Sequence, residues 1–95
     1  MSEHFADRLI AAIREKGSPA CVGIDPVYDR LPAEVTAPAG MNDATDMEGS
    51  VDTILEFCRR VIAIVAPMVP AVKINSAFFE SCYWYGVEAY YDLVQ

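Results

Sequence analysis

Positive charge, histidine and long apolar runs are all scarce in this sequence. Seven Lys and Arg stand against 14 Asp and Glu, giving a formal charge of -7, and there is a single His. Nucleic-acid binding rests on clustered Lys and Arg. Here Arg8, Arg14, Lys16, Arg30, Arg59, Arg60 and Lys73 are scattered and form no stripe, so no nucleic-acid partner is expected. The acidic balance favours solubility. It leaves an anionic small molecule open, because local groups decide that. No apolar run approaches the roughly 20 residues needed to span a bilayer, so no membrane partner is expected. From Glu3 onward charge alternates with hydrophobicity, unlike a signal peptide.

Cysteine is sparse too. Cys21, Cys58 and Cys82 are odd in number and lack metal-ligand spacing, so neither a disulfide framework nor a metal site is indicated. Cys21 and Cys58 fall inside apolar patterns and are expected as buried small hydrophobes. A reducing, cytoplasmic setting fits them. Nucleotide-binding glycine motifs, nucleophile elbows, internal repeats and low-complexity segments are also missing.

What the sequence does have is apolar content, at 54% of its 95 residues. That is the composition of a core. A chain this short, however, buries only about 60–65% of its unfolded surface. It amounts to one domain at most, and residues 1–95 read as part of one. Two short apolar runs end in charge or polarity: Val22-Gly23-Ile24-Asp25-Pro26 and Ala71-Val72-Lys73-Ile74-Asn75. With a helical stretch between them they read as two parallel strands and their crossover. A parallel sheet needs cover on both faces, which two strands and two or three helices cannot give.

Phe5, Leu9, Ile10 and Ile13 predict an amphipathic helix that stops at Lys16-Gly17. The first strand is expected from about Ala20 to Pro26. Val27 to Gly49, rich in Pro, Ala, Gly and acids, reads as a long loop, either functional or a tolerated insertion. Ser50 is the expected N-cap of a second helix, with Asp52 in its first turn. Val51, Ile54, Leu55, Cys58, Val61, Ile62 and Val65 form its apolar stripe, and Glu56–Arg60 a surface pair. Pro67 and Pro70 end it. After Asn75, a short helical turn is expected, with Gly86 separating it from a further helix that starts near Val87.

Side chains alternate along a strand, so Asp25 shares a face with Gly23 and Cys21, and Lys73 with Ala71 and Asn75. Both charges leave the C-terminal edge of the sheet, where α/β proteins place ligands. They could bind a ligand or simply form a salt bridge joining two strand ends. His4 reads as a solvated residue of a frayed terminus, and Glu80 as a surface residue. The cluster Tyr83, Trp84, Tyr85, Tyr90 and Tyr91 reads as core or interface.

Cys21-Val22-Gly23-Ile24-Asp25-Pro26, together with Val72-Lys73-Ile74-Asn75-Ser76-Ala77-Phe78-Phe79-Glu80, resembles the orotidine 5′-phosphate decarboxylases, specifically their longer bacterial subfamily. The leading helix with Phe5, Asp7, Arg8 and Leu9 shares the likeness, and the loop after Val27 does not. The resemblance implies an α/β fold of the (β/α)8 TIM-barrel type, of which this chain is the first quarter to third. It implies conversion of orotidine 5′-monophosphate to UMP and CO2 without metal or organic cofactor, by a cytoplasmic homodimer. Asp25 then hydrogen-bonds the ribose, and Asn75 keeps a polar, substrate-side role. Lys73 contacts a ribose hydroxyl and belongs to an alternating Lys-Asp-Lys-Asp array. In that array an Asp lies against the substrate carboxylate, and the next Lys protonates the carbanion left on the ring. Ile74-Asn75 departs from the Pro-Gln or Pro-Asn frequent after this Lys. No Asp-x-Lys-x-x-Asp motif occurs before Gln95, so the piece alone is expected to be inactive. Two alternatives stay open: another phosphosugar barrel using a metal or an enediolate, and a non-catalytic module assembling through its aromatic patch.

Overall fold

The computed structural model describes residues 4–36 and 47–95. Helix α1 (Phe5–Lys16) carries its apolar residues at helical spacing and has defined ends. His4 opens it, with Nδ1 accepting the Ala6 N–H at 3.1 Å. His4 is thus exposed as expected, yet it caps the helix rather than fraying. Gly17 closes it in the left-handed conformation, φ 69°, donating its N–H to the Ile13 carbonyl at 2.9 Å. A glycine meets that backbone demand without a Cβ penalty.

Strands β1 (Cys21–Ile24) and β2 (Ala71–Ile74) pair in parallel, with Gly23 opposite Lys73 and Ile24 opposite Ile74. The ladder runs one step further, where the Asn75 N–H donates to the Ile24 carbonyl at 3.3 Å. Pro26 lacks the N–H needed to continue the first strand. Ile24, Val72 and Ile74 turn to the helices, Ile24 being 3% exposed, and Val22 is half-buried. Cys21, Gly23, Asp25 and Lys73 lie exposed on the opposite face. Cys21 is therefore not buried, because it falls on the uncovered side of the pleat.

The segment after Pro26 has more structure than its composition predicts. A 3₁₀ turn (Tyr28–Arg30) and a short helix α2 (Ala33–Thr36) follow β1, and both pack on the next helix. Residues 37–46 of the expected loop lie outside the described residues. Helix α3 (Met47–Val65) begins earlier than Ser50. Ser50 is 6% exposed inside the helix rather than capping it, and its Oγ has no hydrogen-bond partner among the described residues. Met47 packs against the core, and this extends the helix past the local cap signal. Glu48, not Asp52, occupies the first turn, where a carboxylate complements the helix dipole. The predicted stripe holds: Val51, Ile54 and Cys58 are buried, and Leu55, Val61, Ile62 and Val65 half-buried. Glu56 and Arg60 pair at 2.9 Å on the solvent side.

Helix α4 (Ala77–Glu80) and helix α5 (Tyr83–Val94) meet at Ser81-Cys82, so Gly86 does not separate them. It lies buried within α5, where a Cβ would overlap the Phe79 carbonyl oxygen and lie 2.9 Å from the Cys82 Cβ. The glycine lets α5 close on the end of α4. The core is Ile24, Val51, Ile54, Cys58, Phe79 and Ala89, with Phe79 against Tyr90 at 5.7 Å between ring centroids. Tyr85 and Tyr90 are half-buried, while Tyr83, Trp84 and Tyr91 are exposed.

Gly86→Ala should lower unfolding stability by about 2–3 kcal/mol, read from urea denaturation, because overlap with backbone cannot be relieved by a rotamer change. Burial pushes the Cys58 thiol from 9.0 up to about 11. The folded state thus favours the neutral thiol. The stability this contributes is fully present below pH 9 and lost as pH rises from 9 through about 11. A Cys58→Ala variant, less stable at every pH for its cavity, should lack that component of the alkaline fall.

Candidate functional site at the open sheet edge

Asp25 follows directly on β1, and Lys73 is the third residue of β2, so both belong to the uncovered face near the C-terminal edge. Gly23 is what lets them share it. A Cβ built there would lie 3.8 Å from Asp25 Oδ2 and 3.9 Å from Lys73 Cε. Both side chains thus border the open space above the glycine. They nevertheless form no ion pair with each other among the described residues, so they do not act as a strand-to-strand bridge. An acid and a base converge on one space and leave their polar atoms free for a third group.

Asn75 extends the same edge, and its side chain is partly committed. Its Oδ1 accepts the Ala77 N–H at 3.1 Å, closing the turn from β2 into α4. That use fixes the amide's direction and leaves its NH2 as a donor. Local sequence carries the signal, since an Asn just before a short helical run is a common cap. Ser76 and Glu80 line a separate cavity of about 270 Å³ with Phe79, Val87 and Tyr90. Glu80 is exposed and stands apart from the Asp25–Lys73 face, as expected of a surface residue.

Among the described residues, no group of three His, Cys, Asp or Glu is arranged to hold a metal ion. No described helix is long and apolar enough to cross a membrane. The chemistry this edge offers is that of hydrogen bonding and fixed charge: an acceptor at Asp25, a cation at Lys73 and an amide donor at Asn75. A small molecule carrying hydroxyl groups can be held by that set.

No family model matches the chain, and no solved structure matches it. Curated proteins do. Orotidine 5′-phosphate decarboxylase of Caldicellulosiruptor bescii is 29% identical over 92 residues, which is 97% of this chain and 30% of that protein. The enzyme of the same name from Rhodopirellula baltica is 37% identical over 76 residues, 80% of this chain and 24% of that protein. The one from Albidiferax ferrireducens is 36% identical over 75 residues, 79% and 22% respectively. The chain spans between about a fifth and a third of the length of these relatives. Matched over most of its length by proteins of one description, this chain is a homologue of part of the orotidine 5′-phosphate decarboxylases.

Proposed function

We propose that the chain is the N-terminal part of a (β/α)8 barrel that decarboxylates orotidine 5′-monophosphate to UMP and CO2, a cytoplasmic carboxy-lyase acting as a homodimer. In this reading residues 1–95 form no complete domain. They supply the leading helix, the first two strands, the first crossover and the start of the second. The observation that carries the reading is the convergence of Asp25 and Lys73 over Gly23, unpaired, at the C-terminal edge of two parallel strands. The names of the chain's homologues support orotidine 5′-monophosphate as the substrate in this reading.

Asp25 then accepts a hydrogen bond from the ribose. Lys73 donates to a ribose hydroxyl and begins the alternating row of charges, and Asn75 offers its free NH2 on the same side. The row works as a preorganised field. Its charges are fixed before the substrate arrives and favour the transition state over the ground state. The Lys that protonates the ring carbanion belongs to a third strand, beyond this chain. The reaction in this reading uses no metal and no organic cofactor, and the isolated piece does not turn over substrate.

In the complete enzyme, Lys73→Ala should lower kcat/KM for orotidine 5′-monophosphate by about 100-fold or more, the scale of losing one preorganised charge contact. The assay is the spectrophotometric loss of substrate in the presence of a chelator, with circular dichroism to check that the fold is kept. A loss within about twofold, roughly 0.4 kcal/mol, would remove Lys73 from the site. Activity that vanishes with chelator would point instead to a metal-dependent barrel.

A further inference from the structure

On the far side of the sheet from Asp25 and Lys73, α3 and α5 pack side by side and leave a groove of about 200 Å³ between the first turns of α3 and residues 84–92 of α5. Its floor is apolar, with Val51 5% exposed and Ala89 3% exposed. Its rim is acidic: Glu48 and Asp52 one turn apart on α3, Glu88 and Asp92 one turn apart on α5. Like charges at this spacing repel along a helix. No ion pair engages them among the described residues. Between Arg30 and Arg59 there is no Lys or Arg, and after Lys73 none to Gln95. The stretch 37–46 adds Asp43 and Asp46 and no base.

One end of the groove is aromatic. Trp84 stacks on Tyr85, centroids 3.9 Å apart, yet remains 65% exposed. The indole is thus backed on one side and open on the other, the arrangement in which a guanidinium or ammonium is attracted to the ring. Tyr83, which leads into it, holds a left-handed φ of 56°, a conformation non-glycine residues adopt only when the surroundings impose it. The backbone that presents Trp84 is therefore a constrained one.

We propose that this groove docks a basic segment of a partner polypeptide, an Arg side chain lying over Trp84 with its stem along the apolar floor. Further cations of the segment meet the remaining carboxylates. Charge complementarity chooses the occupant: four carboxylates, none of them ion-paired among the described residues, repel nucleic acid and any acidic peptide. The seven-residue span from Glu48 to Leu55 is about 10 Å along the helix, which three extended residues cover. The proposal does not depend on the decarboxylase reading, since none of its residues lies on the Asp25–Lys73 face.

Trp84 is the only tryptophan in the sequence and reports directly on its own groove. Titrating the full chain with a synthetic Arg-Ala-Leu repeat peptide should give a saturable change in Trp84 fluorescence that weakens as salt is raised. Glu88→Gln with Asp92→Asn should weaken binding by about tenfold or more, and the matched Glu-Ala-Leu peptide should not bind. Circular dichroism controls for helix content. If that pair unfolds α5, Glu48→Gln with Asp52→Asn on α3 provides the same test. Absence of saturation, or equal affinity in a folded neutralised variant, overturns the proposal. Spermine binding as tightly as the peptide also overturns it, in favour of a small-cation site.

Discussion

The parallel pairing of β1 with β2 is the constraint on which the rest of this structure depends. In that register the pleat sorts eight strand residues into two faces with opposite character. One face, through Ile24 and its neighbours, receives α3, α4 and α5 and forms the core. The other carries Cys21, Gly23 and Lys73, continues into Asp25, and receives no helix from the described residues. A one-residue slip would send the charges into the core and the valines into water. Burial of Ile24 against Val51, Ile54 and Phe79 therefore fixes the register, and through it the location of the charges.

The helices achieve that burial by close approach as much as by apolar area. Gly86 against the Phe79 carbonyl allows α5 to fold back on α4 within two residues, which brings Ala89 and Tyr90 over Phe79. Cys58, fully buried, fills the middle of the same cluster and behaves as a small hydrophobe whose thiol stays neutral well into alkaline conditions. Among the described residues these packing contacts hold the sheet from one side. Large apolar residues of α1 and α5, such as Phe5, Val87 and Tyr91, stay exposed outside that cluster.

Features with a strict local period were legible in the sequence. The two strands, bounded by Pro19, Pro26, Pro70 and Asn75, and the stripe of α3 follow from alternation and from 3.6-residue spacing. So did the shared face of Asp25 and Lys73. Features set by tertiary contact were not. Ser50 carries a strong local cap signal, but Met47 gains core contacts only if the helix starts before it. Gly86 reads as a breaker, since the carbonyl it accommodates lies seven residues away. Cys21 reads as buried because its neighbours are apolar, and only the missing cover of one sheet face exposes it. His4 capped α1 through Nδ1, a role that the residue type seldom signals.

The unpaired state of Asp25 and Lys73 follows from the same missing cover. On an open sheet face each charge is solvated, and a surface ion pair would add little, of the order of 0–1 kcal/mol. Enclosing that face changes the balance, because a charge withdrawn from water is costly unless it is paired and hydrogen-bonded. In a closed barrel the two groups would need partners, and Gly23 keeps open the space in which a partner can lie between them. Under the proposed function, the further strands bring the neighbouring charges of the row, and the substrate's ribose supplies the hydrogen bonds. Closing the barrel and forming the binding site are then one physical event. The cost of enclosing two charges is what selects a polar ligand for the space above Gly23.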